Sequence, residues 1–168
     1  PRNRRYTVHE RMDADGGVLI PLDRAEVEAL AETLRAGGYD SVAVGLLHAY
    51  ANNAHERMVA EVLAESLPEV DVSLSSEVSP QMREYERFNT TIANAYIRPL
   101  MASYLGRLKD RLAAEGADCP VFLMHSGGGI LSLEMAAKFP VRLVESGPAG
   151  GAIFAAEIAA QHGLDKVL

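Results

Sequence analysis

The residues best suited to chemistry lie in one stretch, "HSGGGILSLEMAAKFPVRLVESGPAGGAIFAAE" at 125–157. It opens with His125 and Ser126, followed by Gly127, Gly128 and Gly129. A strand that ends on serine and glycines lets backbone N–H groups and short polar side chains approach a ligand closely. Read functionally, these five residues touch a substrate or a phosphate. Read structurally, they form a tight strand-to-helix turn that needs positive φ. The pattern leaves both open. It is not a P-loop, because no Gly-Lys-Ser/Thr follows, and not a serine-hydrolase elbow, because Gly-x-Ser-x-Gly is absent.

The second glycine cluster is Ser146, Gly147, Pro148, Gly150 and Gly151. Pro148 suits a first helical turn, with Ser146 as its cap. The glycines and alanines from Gly150 to Ala160 predict a helix with hardly any side chain on one face. Its N-terminus could hold an anion. Small residues also let another backbone pack closely and slide, and this hinge reading is the favoured one. The histidines are His9, His48, His55, His125 and His162; none has a metal-ligand spacing, so no metal site is expected. Only His125 sits beside a glycine loop. Arg83, Glu84, Arg87 and Asn94 read as a polar network or a solvated face, since Glu84 and Glu86 do not face each other on a helix. No residue can be assigned a catalytic role.

The elements that must position these residues read as α/β. "RRYTVHERMDADGGVLIPLD" alternates around a turn signal and predicts a hairpin at a sheet edge. Asp23 with Glu26 three residues on resembles a capping box for a helix carrying Val27, Leu30 and Leu34 inward. "SVAVGLLHAY" is a nearly continuous apolar run, the mark of a strand buried in a parallel sheet. Asn53 and Glu56 predict a second capped helix, with Met58, Val59, Val62 and Leu63 inward, and "VDVSLSSEV" a second strand. Strand, helix and strand in this order imply right-handed crossovers. A long helical segment spans 79–115, with Ser79 as cap, Pro80 in its first turn, and Pro99 predicting two helices or one bent one. "CPVFLM" then reads as a strand, "LSLEMAAKF" as a short helix, "PVRLV" as a strand or extended link, and "LDKVL" as the start of a further strand.

The chain has 168 residues and a net charge of −7, which argues against nucleic acid or an anionic membrane as partner. No apolar run approaches the roughly 20 residues that span a bilayer. One cysteine, Cys119, excludes an internal disulfide and fits a reducing, cytoplasmic setting. The chain begins on Pro1 in what reads as mid-strand, which predicts a piece of a longer protein.

Three blocks, "SSEVSPQMREYERFNTTIANAYIRPLM", "MHSGGGILSLEMAAKFPVRLVESGPAGG" and the glycine/alanine helix, together resemble the hydantoinase A/5-oxoprolinase family. That family includes N-methylhydantoinase and the nucleotide-binding subunits of acetone and acetophenone carboxylases. The resemblance implies a partial actin-like (ribonuclease H-like) ATPase lobe, with a mostly parallel sheet and flanking helices. Residues 1–144 would be part of the first lobe, 145–163 the interdomain connecting helix, and 164–168 the first strand of the second lobe. The family's Asp-x-Gly-Gly-Thr phosphate loops do not occur in this sequence. The resemblance therefore implies ATP and Mg²⁺ for the parent protein and none held by these residues alone. It implies ATP-dependent activation of a cyclic amide by phosphorylation, the chain being inactive by itself. A carboxylase subunit acting on a ketone, or a non-catalytic subunit-docking module, are the alternatives. The partners implied are a small cyclic amide or ketone and a second, hydantoinase B-like subunit or further copies of the chain. His125–Gly129 would contact substrate or phosphate, and Ser146, Gly147, Pro148, Gly150 and Gly151 would lie at the hinge near the nucleotide.

Overall fold

The computed structural model of the chain describes residues 2–117 and 119–167. It divides into a first unit ending at Pro99 and a second beginning at Leu100. In the first unit the expected hairpin is present. Strand β1 (Arg11–Met12) pairs antiparallel with β2 (Val18–Ile20). Asp13 Oδ1 accepts from the amides of Asp15 and Gly17 and closes the turn between them.

Helix α1 (Arg24–Gly37) starts where the sequence predicts, with the Asp23 side chain accepting from the Ala25 amide. It stops at Gly38, whose φ of 61° is the left-handed cap that glycine adopts without strain. The reciprocal half of the box is missing, because Glu26 accepts from the His9 amide instead and ties the incoming segment to the helix. Strand β3 (Ser41–Val44) pairs in parallel with β4 (Asp71–Leu74), in register from Ser41↔Asp71 to Val44↔Leu74. This is the parallel sheet the sequence predicts, and the other two strand pairs are antiparallel.

Helix α2 (Ala54–Ser66) makes the crossover. Val59, Val62 and Leu63 on α2, Val27, Ala31 and Leu34 on α1, and Val44 and Leu74 from the strands form one buried cluster. Burying each such side chain contributes about 1.5–3 kcal/mol, which fixes the sheet against its helices. Two expectations at α2 need correction. Asn53 makes no capping bond; Asn52 Oδ1 accepts from the Ala54 amide in its place. Glu56 is fully buried, not a capping residue.

After β4 the chain forms a single turn of helix, α3 (Ser75–Val78), and then a loop. The long helix α4 begins at Glu84, not at Ser79, and runs to Ala114. Arg83 just before it has a φ of 81°, so the chain is redirected there and Pro80 remains in the loop. Pro99 sits inside α4, which continues through it as one helix.

In the second unit, β5 (Phe122–Met124) pairs antiparallel with β6 (Ile130–Ser132). "HSGGG" therefore turns a hairpin and does not join strand to helix. Helix α5 (Leu133–Lys138) follows, capped by Ser132 Oγ accepting from the Met135 amide. Leu133 and Ala136 on α5 bury against Leu105. "PVRLV" is a 3₁₀ turn at Pro140–Leu143, not a strand or extended link, with Pro140 at its first position. Helix α6 (Ser146–Gln161) begins one residue earlier than a Ser146 cap would place it, and the left-handed Glu145 precedes it. Residues 164–167 pair with no strand, and Leu168 lies outside the described residues. Among the described residues no helix is long and apolar enough to cross a membrane.

Candidate functional site

The "HSGGG" turn is closed by its own histidine. The Gly128 amide donates to the His125 carbonyl at 2.9 Å, and the His125 amide to the Gly129 carbonyl at 2.9 Å. The Gly127 amide donates to His125 Nδ1 at 2.9 Å. A ring nitrogen that accepts carries no proton, so in the neutral ring the proton sits on Nε2. The imidazole lies over the glycines: a Cβ on Gly129 would stand 2.5 Å from Nε2, and one on Gly127 2.8 Å from Cε1. A side chain at either would displace the His125 ring, and Gly128 is favoured by its φ of 84°. The Gly127 and Gly128 amides are thus committed within the turn. What the turn offers a ligand is a histidine ring with an Nε2–H and the exposed Ser126 beside it.

The turn is anchored to its surroundings. The Ser126 amide donates to the Arg142 carbonyl at 2.9 Å, and Ile153 on α6 would stand 3.1 Å from a Cβ on Gly128. The two glycine clusters are therefore neighbours in the second unit. Of the second cluster, Ser146, Gly147, Gly150 and Gly151 line an open groove of about 490 Å³, together with Met101, Tyr104, Leu105, Leu123, Met124 and Leu143. Gly150 is held close to Met124, whose Sδ would stand 3.0 Å from an added Cβ. Pro148 and residues 125–129 are not in that lining.

A second polar concentration, in the first unit, includes Arg87, Glu84 and Asn94 of the expected polar network and adds Glu56, Ser73 and Ser75, which the sequence did not mark as part of it. It lies at the carboxyl ends of β3 and β4. Arg87, fully buried, donates from Nε to Ser75 Oγ at 3.1 Å, from Nη1 to the Gln81 carbonyl at 3.0 Å and from Nη2 to the Leu46 carbonyl at 2.9 Å. Its guanidinium also lies 5.1 Å from the Phe88 ring and 5.5 Å from that of Tyr50. Ser75 Oγ donates in turn to Glu56 Oε1 at 2.6 Å, and Glu56 accepts from the amides of Leu46 and Ser76. The buried charges of Arg87 and Glu56 are thus linked through one hydroxyl, and each also bonds two backbone groups. Asn94, also fully buried, donates to Ser73 Oγ at 3.0 Å. The expected network of Arg83, Glu84, Arg87 and Asn94 is here in Arg87, Asn94 and Glu84, while Arg83 is exposed and pairs with Glu86.

Three atoms at this edge stand apart. Among the described residues, His48 Nδ1, Ser76 Oγ and Glu84 Oε1 are the buried side-chain polar atoms with no hydrogen-bond partner. Glu84 Oε1 lies 3.5 Å from Arg87 Nη2 as an ion pair. Its carboxyl is held below the usual glutamate range by its own backbone N–H first, then by the His48 N–H and Arg87, against the opposing effect of burial. His48 has a φ of 57°, a conformation side-chain-bearing residues rarely adopt. The nearest local signal is Glu56, an acidic residue in the first turn of α2 on the face that carries Val59 and Leu63.

Comparison with known proteins places this architecture. Residues 1–67 match the family model described as the hydantoinase/oxoprolinase N-terminal region, and residues 87–168 the one described as hydantoinase/oxoprolinase. The chain is 32% identical over 168 residues to the caprolactamase subunit alpha of Pseudomonas jessenii, covering 100% of this chain and 24% of that protein. The crystal structure of the ATP-dependent caprolactamase from Pseudomonas jessenii superposes with a TM-score of 0.83 at 29% identity, over 98% of this chain and 24% of that one. Nucleotide-free acetone carboxylase superposes with a TM-score of 0.80 at 30% identity, over 93% of this chain and 22% of that one. The chain thus spans about a quarter of the length of these relatives.

Proposed function

The chain belongs to the hydantoinase/oxoprolinase family, and on that premise we propose that the protein carrying it is an ATP-dependent enzyme that opens cyclic amides. What carries the reading is the likeness to a caprolactamase subunit along all 168 residues. Bound in the parent, ATP would transfer its γ-phosphoryl group to the amide oxygen and release ADP; water attacking the activated carbon would then open the C–N bond, the ring nitrogen leaving as the amine, with hydrolysis releasing phosphate.

In this reading the residues here do not form the nucleotide's phosphate loop, which the Gly127 and Gly128 amides support by bonding inside their own turn. In this proposal nucleotide and Mg²⁺ are held elsewhere in the parent protein. Residues 1–144 supply part of its first lobe, 145–163 the connecting helix, and 164–168 the entry to the second lobe.

The role assigned to the "HSGGG" turn is substrate contact. Its histidine presents an N–H at Nε2, and Ser126 adds a hydroxyl, a pair of donors suited to an amide carbonyl oxygen. Ser146, Gly147, Pro148, Gly150 and Gly151 form the hinge segment. The parent works with a second subunit in the cytoplasm; the caprolactamase relative is itself named as a subunit.

A carboxylase reading is favoured by one specific observation, the close superposition on acetone carboxylase. The two are separated by assaying the intact protein, with its companion subunit, for ADP release. The substrates to compare are hydantoin, 5-oxoproline and caprolactam against acetone and acetophenone with bicarbonate. ADP release coupled to ring-opened product is the expected outcome; release only with ketone and bicarbonate replaces hydrolase by carboxylase. In the same assay His125→Ala should lower kcat about 100-fold, the scale of losing one carbonyl-oxygen donor.

A further inference from the structure

We infer that Gly127 is a positioning residue of the "HSGGG" turn. Its backbone amide sets the tautomer and the aim of the His125 ring, so that the turn presents a neutral donor suited to a carbonyl oxygen and not to a phosphate. This rests on the reading of the turn as a substrate contact. It places the work of Gly127 on the ring and not on the ligand.

The three glycines hold the ring in three different ways. Gly127 contributes its N–H, which donates to His125 Nδ1 at 2.9 Å. Gly129 contributes the absence of a side chain, since a Cβ there would stand 2.5 Å from Nε2. Gly128, at a φ of 84°, reverses the chain between them. The Met124↔Ile130 pair of β5 and β6 fixes the base of the turn. The Ser126 amide fixes its side by donating to the Arg142 carbonyl at 2.9 Å. An imidazole bonded at Nδ1, over two glycines, in a turn anchored at base and side, has little freedom to rotate.

The same bond fixes the chemistry. Which ring nitrogen carries the proton is set by the hydrogen bond that the other one makes. An imidazolium donates from both nitrogens, so the bond from Gly127 belongs to the neutral ring alone. Nε2 is left as an uncharged N–H donor. A phosphate is held best by charged donors or by a nest of backbone amides. Here the Gly127 and Gly128 amides are engaged inside the turn, and the guanidinium of Arg142 lies 5.0 Å from the Phe139 ring. The oxygen that suits such a donor is that of a neutral carbonyl, in an amide or a ketone.

The bond can be read without any reaction. In the nitrogen-15-labelled chain at about pH 8, where an ordinary imidazole is neutral, NMR should show a through-bond coupling between the Gly127 amide nitrogen and His125 Nδ1, and a proton on Nε2. Adding inorganic phosphate should leave that coupling in place. Absence of the coupling, or its loss on adding phosphate, overturns the proposal. In the intact protein, Gly127→Pro removes the donor and keeps the two backbone bonds of the turn. It should lower kcat about ten-fold with KM little changed. Added to His125→Ala it should change kcat no further, because its effect runs through the ring. An equal loss in both backgrounds marks a merely structural role and overturns the proposal. Since the coupling is read without ATP or substrate, a protein that opens no cyclic amide would remove the proposed function and leave the hold of Gly127 on His125 standing.

Discussion

The first unit hides its polar chemistry and the second displays its apolar surface. Around Arg87 almost every buried donor meets an acceptor, beneath a core shared by two helices and a parallel strand pair. Around α6 the arrangement is reversed. Its only buried residue is Ala159, while Phe154 is 68% exposed and Ile153 44% exposed. A helix with few buried side chains is built to be covered, whereas a densely hydrogen-bonded cluster is built to hold neighbouring segments in register. The glycines drew attention to the second unit, but the side chains with the most constrained geometry lie in the first.

Substitutions can press on this contrast. The largest effect should come from Arg87→Ala, which leaves Glu56 with its countercharge gone and two carbonyls unpaired. A loss of about 3–5 kcal/mol in urea unfolding is expected. Its counterpart in the second unit, Arg142→Ala, loses mainly a contact 5.0 Å from the Phe139 ring and should cost about 0.5–1 kcal/mol. Similar losses for both would erase the distinction between a clamped and a loosely held unit.

A smaller difference is expected between two left-handed glycines. Gly38→Ala meets nothing within 4 Å and should cost only the conformational penalty, about 1–2 kcal/mol. Gly128→Ala carries the same penalty and must also displace Ile153 Cδ1 from 3.1 Å. Its melting temperature should fall further; an equal fall would mean that α6 yields to the turn at no cost.

The smallest effect concerns acid. The folded value for Glu84 lies below the ordinary 4.5, so its stabilisation is full above 4.5 and disappears as pH falls through the folded value. Glu84→Gln should therefore differ most from the parent near neutral pH and converge with it in acid. Glu134 in the second unit is also lowered, by its own backbone N–H and then by Ser132, but it is exposed and solvent screens it. Glu134→Gln should show a flatter difference across the same titration, measured by thermal unfolding.

Much of the fold was legible because its signals are local. Asp23 and Gly38 bracket α1 by rules that operate within a few residues, and the apolar run from Val42 and the alternation at 71–74 mark the parallel pair. The misreadings have distant causes. Ser79 and Pro80 look like a helix start, yet Arg87 holds the Gln81 carbonyl and Arg83 turns left-handed, so α4 waits until Glu84. Glu56 looks like a capping residue until Ser75, the first residue of α3 after β4, brings its hydroxyl to it. "PVRLV" has strand-like residues, but Pro140 opens a 3₁₀ turn. Of the candidate site, glycine content marked the turn and the helix after it; nothing local marks His48, Ser76 and Glu84, because only strand pairing and the Arg87 clamp bring their segments together.

Pro99 carries a further consequence. It has no amide hydrogen, so the Ala95 carbonyl loses its usual helical donor at the position where the two units divide. A ladder with one rung removed need not open all at once. In hydrogen–deuterium exchange, α4 should behave as two protected stretches with separate opening free energies, one following the first unit and one following the second, although it is a single helix in space.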